Sequence, residues 1–373
     1  SLEFRTVMMS AMRTITTLQR HSNRGFTLIE LMVAMVLGLI ALGAVGLVFV
    51  NSNKNYNTQE SLARLQENAR LATQILTRDL RQAGYFGCLD DTNSVHNRLD
   101  AGSSLLGNIP IEGYEQGDTT WHPGGSTDLI TEMVAGTDGV AVRFLEPGTG
   151  GDVEEPFMPR VSAALHLQPN NGLIMGDIVA TTDCASGEIF QITGPSQTNV
   201  DNGILNHNTG SSVVPGNADQ NFSKTYDDDA TVMKFGAWRY FIKDDGNGPG
   251  LFRESLLNNG GTIITDAFEF VPGIENLQVM YGEDTNSDFI PDTYVDADVV
   301  GNWENVISVR IGILARSIAN TRYDTEGEYG NQFDVDTRSY DLDGDGVNEV
   351  NPPDERVIRQ AFVSTIALRN RQQ

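Results

Sequence analysis

The chain has 373 residues, with 50 acidic side chains against 25 basic ones and a formal charge of −25. That acidic excess excludes recognition of nucleic acid, or of an anionic membrane surface, through a basic patch, since both need clustered cations. At roughly 150 residues per domain the length predicts two to three domains, or one large domain with appendages, and 39% apolar residues supply a core. Thirty-eight glycines and 13 prolines make the chain turn-rich, and two cysteines are too few for a Cys-rich zinc site.

Residues 1–25 hold Arg5, Arg13, Arg20 and Arg24 against Glu3 alone. Residues 31–50 then read LMVAMVLGLIALGAVGLVFV, twenty positions without a charge. About twenty apolar residues, at about 1.5 Å per residue, span the hydrocarbon core of a bilayer. The run has no proline, and its glycines (Gly38, Gly43, Gly46) are tolerated in membrane helices. Arginines on the N-terminal flank predict a cytoplasmic N-terminus and export of everything after Val50. A secretory signal peptide shares the basic and apolar regions. Against it stand the length of the run, the poor cleavage match at Ala44-Val45-Gly46, and Glu30, because an ionisable group at the head of an apolar helix is costly unless partnered.

Gly25-Phe26-Thr27-Leu28-Ile29-Glu30 resembles the processing site of type IV prepilins and type II secretion pseudopilins. In that family a basic leader ends in Gly, then come Phe, Thr-Leu-hydrophobic-Glu and a long apolar helix. The resemblance implies a leader of residues 1–25, cleaved after Gly25 by a prepilin peptidase, and N-methylation of Phe26; translation is expected to start at Met8, Met9 or Met12. It also implies that residues 26–50 serve first as a membrane anchor and later as filament core. Cleavage would leave an ammonium on Phe26 one helical turn from Glu30. Between neighbouring chains the same pair would set axial register, its low-dielectric attraction partly offset by desolvation.

Residues 51–83 continue the helix in polar form, without Pro or Gly until Gly84. Leu62, Leu65, Ala69, Ala72, Leu76, Leu80 and Ala83 recur at spacings of three and four, an apolar stripe for packing on a domain. One helix over 26–83, closed by Gly84, follows. Residues 84–373 form the β-rich remainder. Strands are predicted at 140–145, 173–181, 188–193, 232–242, 251–255, 274–281, 306–314 and 358–368. Val309, Ile311 and Ile313 share one face, and Phe362, Ser364, Ile366 and Leu368 another, the alternation of half-buried antiparallel strands. Residues 243–250 read as a hairpin loop and 90–123 as loops or a small insertion. The predicted architecture is α+β: a long N-terminal helix, membrane-spanning in its first half, packed on an antiparallel β-sheet, pilin-like, with large loop insertions. Gly84-Tyr85-Phe86-Gly87-Cys88, the stretch 302–317 and Ile366-Ala367-Leu368-Arg369-Asn370 resemble PilW-type minor pilins.

Exported chains with two cysteines favour a disulfide. Cys88–Cys184 would close a loop of about 97 residues, worth about 4–5 kcal/mol by chain entropy; two buried thiols are the alternative. Asp341, Asp343, Asp345, the Val347 carbonyl and Glu349 stand at the 1, 3, 5, 7 and 9 positions of a calcium loop, with Gly346 at position 6. Pro352 replaces the usual acid at position 12, where Asp354 or Glu355 would have to substitute. Asp284, Asn286, Asp288 and Asp292 repeat the 1, 3, 5, 9 layout with Phe289 in place of the glycine; a solvated acidic loop is the alternative for both.

No catalytic set emerges. His21, His96, His122, His166 and His207 form no H-E-x-x-H, and no phosphate loop or G-x-S-x-G elbow is present; Gly124-Gly125-Ser126 is only a superficial likeness. Trp121, Trp238 and Trp303 read as packing residues. The expected function is therefore structural: a minor pilin with no enzymatic activity, inserted in the inner membrane and then built into an extracellular filament. Its implied partners are other minor pilins, the major pilin, a tip adhesin and the prepilin peptidase. A J-type pseudopilin of type II secretion is the near alternative. A membrane-tethered or secreted calcium-binding adhesion domain, cofactor calcium, is the alternative from another class.

Overall fold

In a computed structural model, the described residues are 25–89, 92–100, 104–115, 117–125, 132–210, 212–318, 339–344, 346, 348, 350 and 357–371. Helix α1 runs Leu28–Leu80, 53 residues without proline. It stops short of the predicted 83 because the chain tightens: Gln82 N–H donates to the Asp79 carbonyl (3.1 Å) and Ala83 N–H to that of Leu80 (3.1 Å). Gly84, at φ 75°, then turns the chain, its N–H donating to the Arg143 carbonyl at 2.9 Å. The chain divides into two compact units, one reaching to Tyr56 and one from Asn57 onward. Residues 57–80 of α1 thus belong to the β-rich unit.

The strands of that unit are β1 (Val95–Asn97), β2 (Ile111–Tyr114), β3 (Gly139–Asp152), β4 (Leu165–His166), β5 (Ile178–Thr182), β6 (Gly187–Gln191), β7 (Ile204–Leu205), β8 (Thr231–Asp244), β9 (Pro249–Asn259), β10 (Thr262–Pro272), β11 (Ile274–Glu283), β12 (Thr293–Val295), β13 (Val306–Arg316) and β14 (Arg359–Ala367), with a short α2 (Gln197–Asp201). The predicted architecture has one antiparallel sheet; the strands among the described residues form three. An eight-stranded sheet runs β1-β6-β5-β8-β3-β2, with β9 also on β8 and β10 outside β9. A four-stranded sheet runs β12-β11-β13-β14, and β4 pairs with β7. All pairs are antiparallel except β1–β6.

The predicted stripe holds and gathers both large sheets. Leu65, Ala69, Ala72, Leu76, Leu80 and Ala83 share one core with Val140, Tyr240 and Ile242 of the eight-stranded sheet and Leu277, Val309, Ile311, Ile313 and Ile366 of the four-stranded sheet. Leu62 lies at the margin, half-buried, and Ile75 joins the core. Several strands predicted as half-buried are covered on both faces. On β13, Val309, Ile311 and Ile313 face α1, while Leu314 packs with Tyr340 and Leu342 on the other side. A strand covered on both faces loses the alternation of a one-sided sheet.

One charged residue sits within the stripe. Asp79 is fully buried. Its carboxylate accepts hydrogen bonds from Arg78 Nε (2.6 Å) and Nη2 (3.1 Å) and from the Tyr240 hydroxyl on β8, and Arg253 Nη1 on β9 stands 3.8 Å away. Arg253 in turn lies against the rings of Trp238, Phe268 and Phe270 at 4.4–5.2 Å. Burial and the neighbouring Asp79 charge push the Tyr240 hydroxyl far above its ordinary pKa, so it stays a donor. This network ties the helix to two adjacent strands. Removing one member of a buried, paired charge set costs about 3–5 kcal/mol. Asp79→Ala is therefore expected to lose that much unfolding free energy in urea titration, with Tyr240→Phe losing about 1–3 kcal/mol.

A satellite core forms around β4, β7 and α2, with Phe190, Val200, Leu205, Phe222 and Tyr226. His207 is 2% exposed there, stacked on Phe222 with ring centroids 4.0 Å apart, its Nε2 2.8 Å from the Ala163 carbonyl. Burial lowers its pKa below the usual histidine value of 6.5. The unfolded chain therefore takes up this proton first as pH falls, and the stability held by the neutral ring above pH ~6.5 is lost below it. The melting temperature is expected to fall from about pH 7.5 to about pH 5, and to fall less in His207→Phe.

Candidate functional site

The N-terminal motif is built on the start of α1. Gly25, Phe26 and Thr27 precede the helix, and Phe26 is 87% exposed. Thr27 and Glu30 bond reciprocally. Thr27 N–H and Oγ1–H both donate to Glu30 Oε2 at 2.9 Å, and Glu30 N–H donates to Thr27 Oγ1 at 3.3 Å. This is a capping box, which satisfies two backbone donors that a helix start otherwise leaves open. In the lone chain the partner of Glu30 is thus Thr27, a residue the sequence argument passed over although T-x-x-E before an apolar run is readable as such. Beyond it, every large apolar side chain along α1 from Leu28 to Phe49 is at least 54% exposed. Among the described residues α1 is the helix long and apolar enough to cross a membrane.

Cys88 and Cys184 form a disulfide, Cα atoms 4.8 Å apart, between the segment after α1 and the turn joining β5 to β6. The acidic loops are arranged by their first aspartates. Asp284 Oδ1 accepts N–H bonds from Asn286 (3.2 Å), Ser287 (2.7 Å) and Asp288 (3.2 Å), and Oδ2 accepts one from Phe289 (2.7 Å). Asp292 accepts from Thr285 N–H (2.8 Å) and Oγ1–H (2.6 Å) and from Asn286 Nδ2 (3.0 Å); these bonds hold its carboxyl below the usual range. The turn is made without glycine: Ser287 and Phe289 take φ 64° and 63°, a strain of about 1–3 kcal/mol each that the four amide bonds to Asp284 offset. Asp341 accepts from Gly344 N–H (2.6 Å) and Gly346 N–H (3.1 Å), with both glycines in the left-handed region. Asp343 is buried, while Asp345, Val347 and Glu349 lie outside the described residues. Among the described residues no three His, Cys, Asp or Glu side chains stand together as metal ligands.

The tryptophans pack: Trp121 under Arg239 (4.6 Å), Trp238 on Phe144 (4.4 Å) and Trp303 on Tyr281 (4.6 Å). Two family models match the chain. That of the type IV pilus-assembly protein W, PilW, covers residues 239–370, and the prokaryotic N-terminal methylation motif covers 20–46. Over these two stretches the chain is similar to type IV prepilin-like proteins of the PilW type. No curated protein and no solved structure matches it. The PilW match begins inside β8 and takes in β9–β14, so it holds the four-stranded sheet and both acidic loops. The methylation-motif match holds the Thr27–Glu30 cap and most of the exposed apolar helix. The disulfide, the satellite core and Asp79 fall outside both matched stretches.

Proposed function

We propose that this PilW-type chain is a minor pilin: a structural subunit cleaved after Gly25 by a prepilin peptidase, methylated on Phe26 and assembled into a type IV pilus. The observation that carries the reading is the exposed apolar run of α1 headed by the Thr27–Glu30 cap. Sixteen large apolar side chains between Leu28 and Val50 are exposed. At about 2 kcal/mol each, their burial is worth on the order of 30 kcal/mol, and a bilayer or a bundle of like helices supplies it. In the membrane the basic flank keeps the N-terminus in the cytoplasm and the β-rich unit outside the inner membrane. In the filament the same surface packs on neighbouring helices. Glu30 then exchanges Thr27 for the Phe26 ammonium of a neighbour, which fixes the axial step. The function is assembly, with other minor pilins, the major pilin and a tip adhesin as partners, and it includes no catalytic step. The PilW match favours a pilus over a J-type secretion pseudopilin.

Mass spectrometry of sheared pili is expected to find the chain beginning at N-methylated Phe26. Glu30→Ala is expected to insert in the membrane normally and to fall at least tenfold in filaments. Normal incorporation of that variant, or recovery of the chain only with a secretion machine, would contradict the proposal.

Calcium is proposed as a ligand of the Asp341 loop, where Gly344 (φ 85°) and Gly346 (φ 93°) supply the bend that the ligand spacing requires. A ligand that binds only the folded state at a hundred times its Kd adds about 2.7 kcal/mol. Millimolar calcium is therefore expected to raise the melting temperature by several degrees, with chelator or Asp341→Ala removing the rise. An unchanged melting temperature would eliminate the ion.

A further inference from the structure

The residues from Cys88 onward hold 16 basic and 45 acidic side chains. Against that background, one groove in the β-rich unit is lined by Gln74, Thr77, Arg78, Arg81 and Gln82 at the end of α1 and by Arg369 from the C-terminal turn. Its volume is about 460 Å³, and no carboxylate is among its lining residues. The walls are fixed to each other. Asn370 Nδ2 donates to the Ala83 carbonyl at 3.2 Å, and the buried Leu368 donates its N–H to the Ile307 carbonyl at 2.9 Å. Arg369 is thereby held beside the last turn of the helix. Arg78 is engaged by Asp79 beneath it. Arg81 and Arg369 are exposed and make no ion pair among the described residues.

Cations near a helix C-terminus complement its dipole, worth about 0.3–1 kcal/mol each. That accounts for Arg78 and Arg81 but not for Arg369, which reaches the groove from a distant part of the chain. Two guanidinium groups without an ion pair among the described residues, Arg81 and Arg369, stand beside a third, Arg78, that Asp79 holds; with amide and hydroxyl donors flanking them they suit carboxylates, which arginine binds through paired N–H donors. At physiological ionic strength charges beyond about 8 Å are screened. The groove therefore presents its own positive field despite the acidic remainder.

We propose that this groove receives a carboxylate-bearing segment of a neighbouring pilus subunit. The identity of the neighbour rests on the pilin reading, whereas the chemistry of the groove stands without it. The test uses the full chain in neutral detergent, with a fluorescent deca-glutamate peptide as probe. Binding is expected to weaken at least tenfold in Arg81→Glu/Arg369→Glu and on raising salt, and less than twofold in Arg64→Glu/Arg70→Glu, which makes the same charge change elsewhere on α1. A melting temperature within a few degrees of the parent shows that the double variant is folded; where reversal unfolds it, Arg81→Gln/Arg369→Gln takes its place. Equal loss in both double variants, or no binding by the parent chain, would overturn the proposal. So would groove-dependent binding to phosphatidylglycerol vesicles in place of the peptide. In cells the groove variant is expected to reach the membrane but not the filament. Absence of the parent chain from filaments would refute the pilin reading, while the peptide result still decides the groove.

Discussion

Between Leu28 and Val50 this protein carries sixteen large apolar side chains on a helix with no cover among the described residues. Water is a poor solvent for that surface, and the deficit of tens of kcal/mol exceeds the 5–15 kcal/mol net stability of a typical domain. The helical form already satisfies the backbone, so lipid is an adequate solvent. A bundle of neighbouring helices is another. The functional reading follows from there being two acceptable environments for one surface and none in free solution.

The second part of α1 obeys different rules. From Asn57 onward it is a component of a folded unit, and its stripe of Leu and Ala packs against two sheets at once. Small side chains at Ala69 and Ala72 suit close packing of helix on strands, and Asp79 adds a directional hydrogen bond from Tyr240 and an ion-pair contact with Arg253 that apolar contact alone lacks. Apolar burial is non-directional, so a buried carboxylate with three partners is a plain device for fixing where along the sheet the helix sits. One continuous helix thus changes its chemistry from lipid-compatible to domain-compatible near Tyr56, with no break in its hydrogen bonding.

Much of this organisation was legible in the residues. The apolar run, the apolar stripe at spacings of three and four, eight of the longer strands and the 243–250 hairpin loop follow from periodicity and turn chemistry. The rest was hidden for identifiable reasons. Strand β10 (TIITDAFEFVP) is exposed along most of its length, so it has no alternation to read; its signal was the Gly260-Gly261 pair, at φ 62° and 94°, which makes the two-residue hairpin with β9. The division into separate sheets was hidden because alternation assigns the faces of a strand and not the strands it pairs with. The short β1 and β2, in the turn-rich 90–123 stretch, are too brief for a period. Asp79 breaks the apolar stripe, and pattern reading discards a polar residue there, although a polar residue in a stripe is itself a signal of a buried partner. At the site, Glu30 was legible as an anomaly but its Thr27 partner was not sought, because the family motif supplied a different one. The left-handed Phe289 is set by the amides gathered on Asp284, and local propensity points the other way.

If the apolar half of α1 passes from lipid to a helix bundle, water reaches it in neither place. Ala41, midway along it, reports this directly. A cysteine placed by Ala41→Cys, with the Cys88–Cys184 disulfide intact, can be challenged with a membrane-impermeant maleimide in native membranes and in sheared filaments. No labelling is expected in either until detergent or denaturant is added. Labelling in intact filaments at the rate of a free thiol would contradict it.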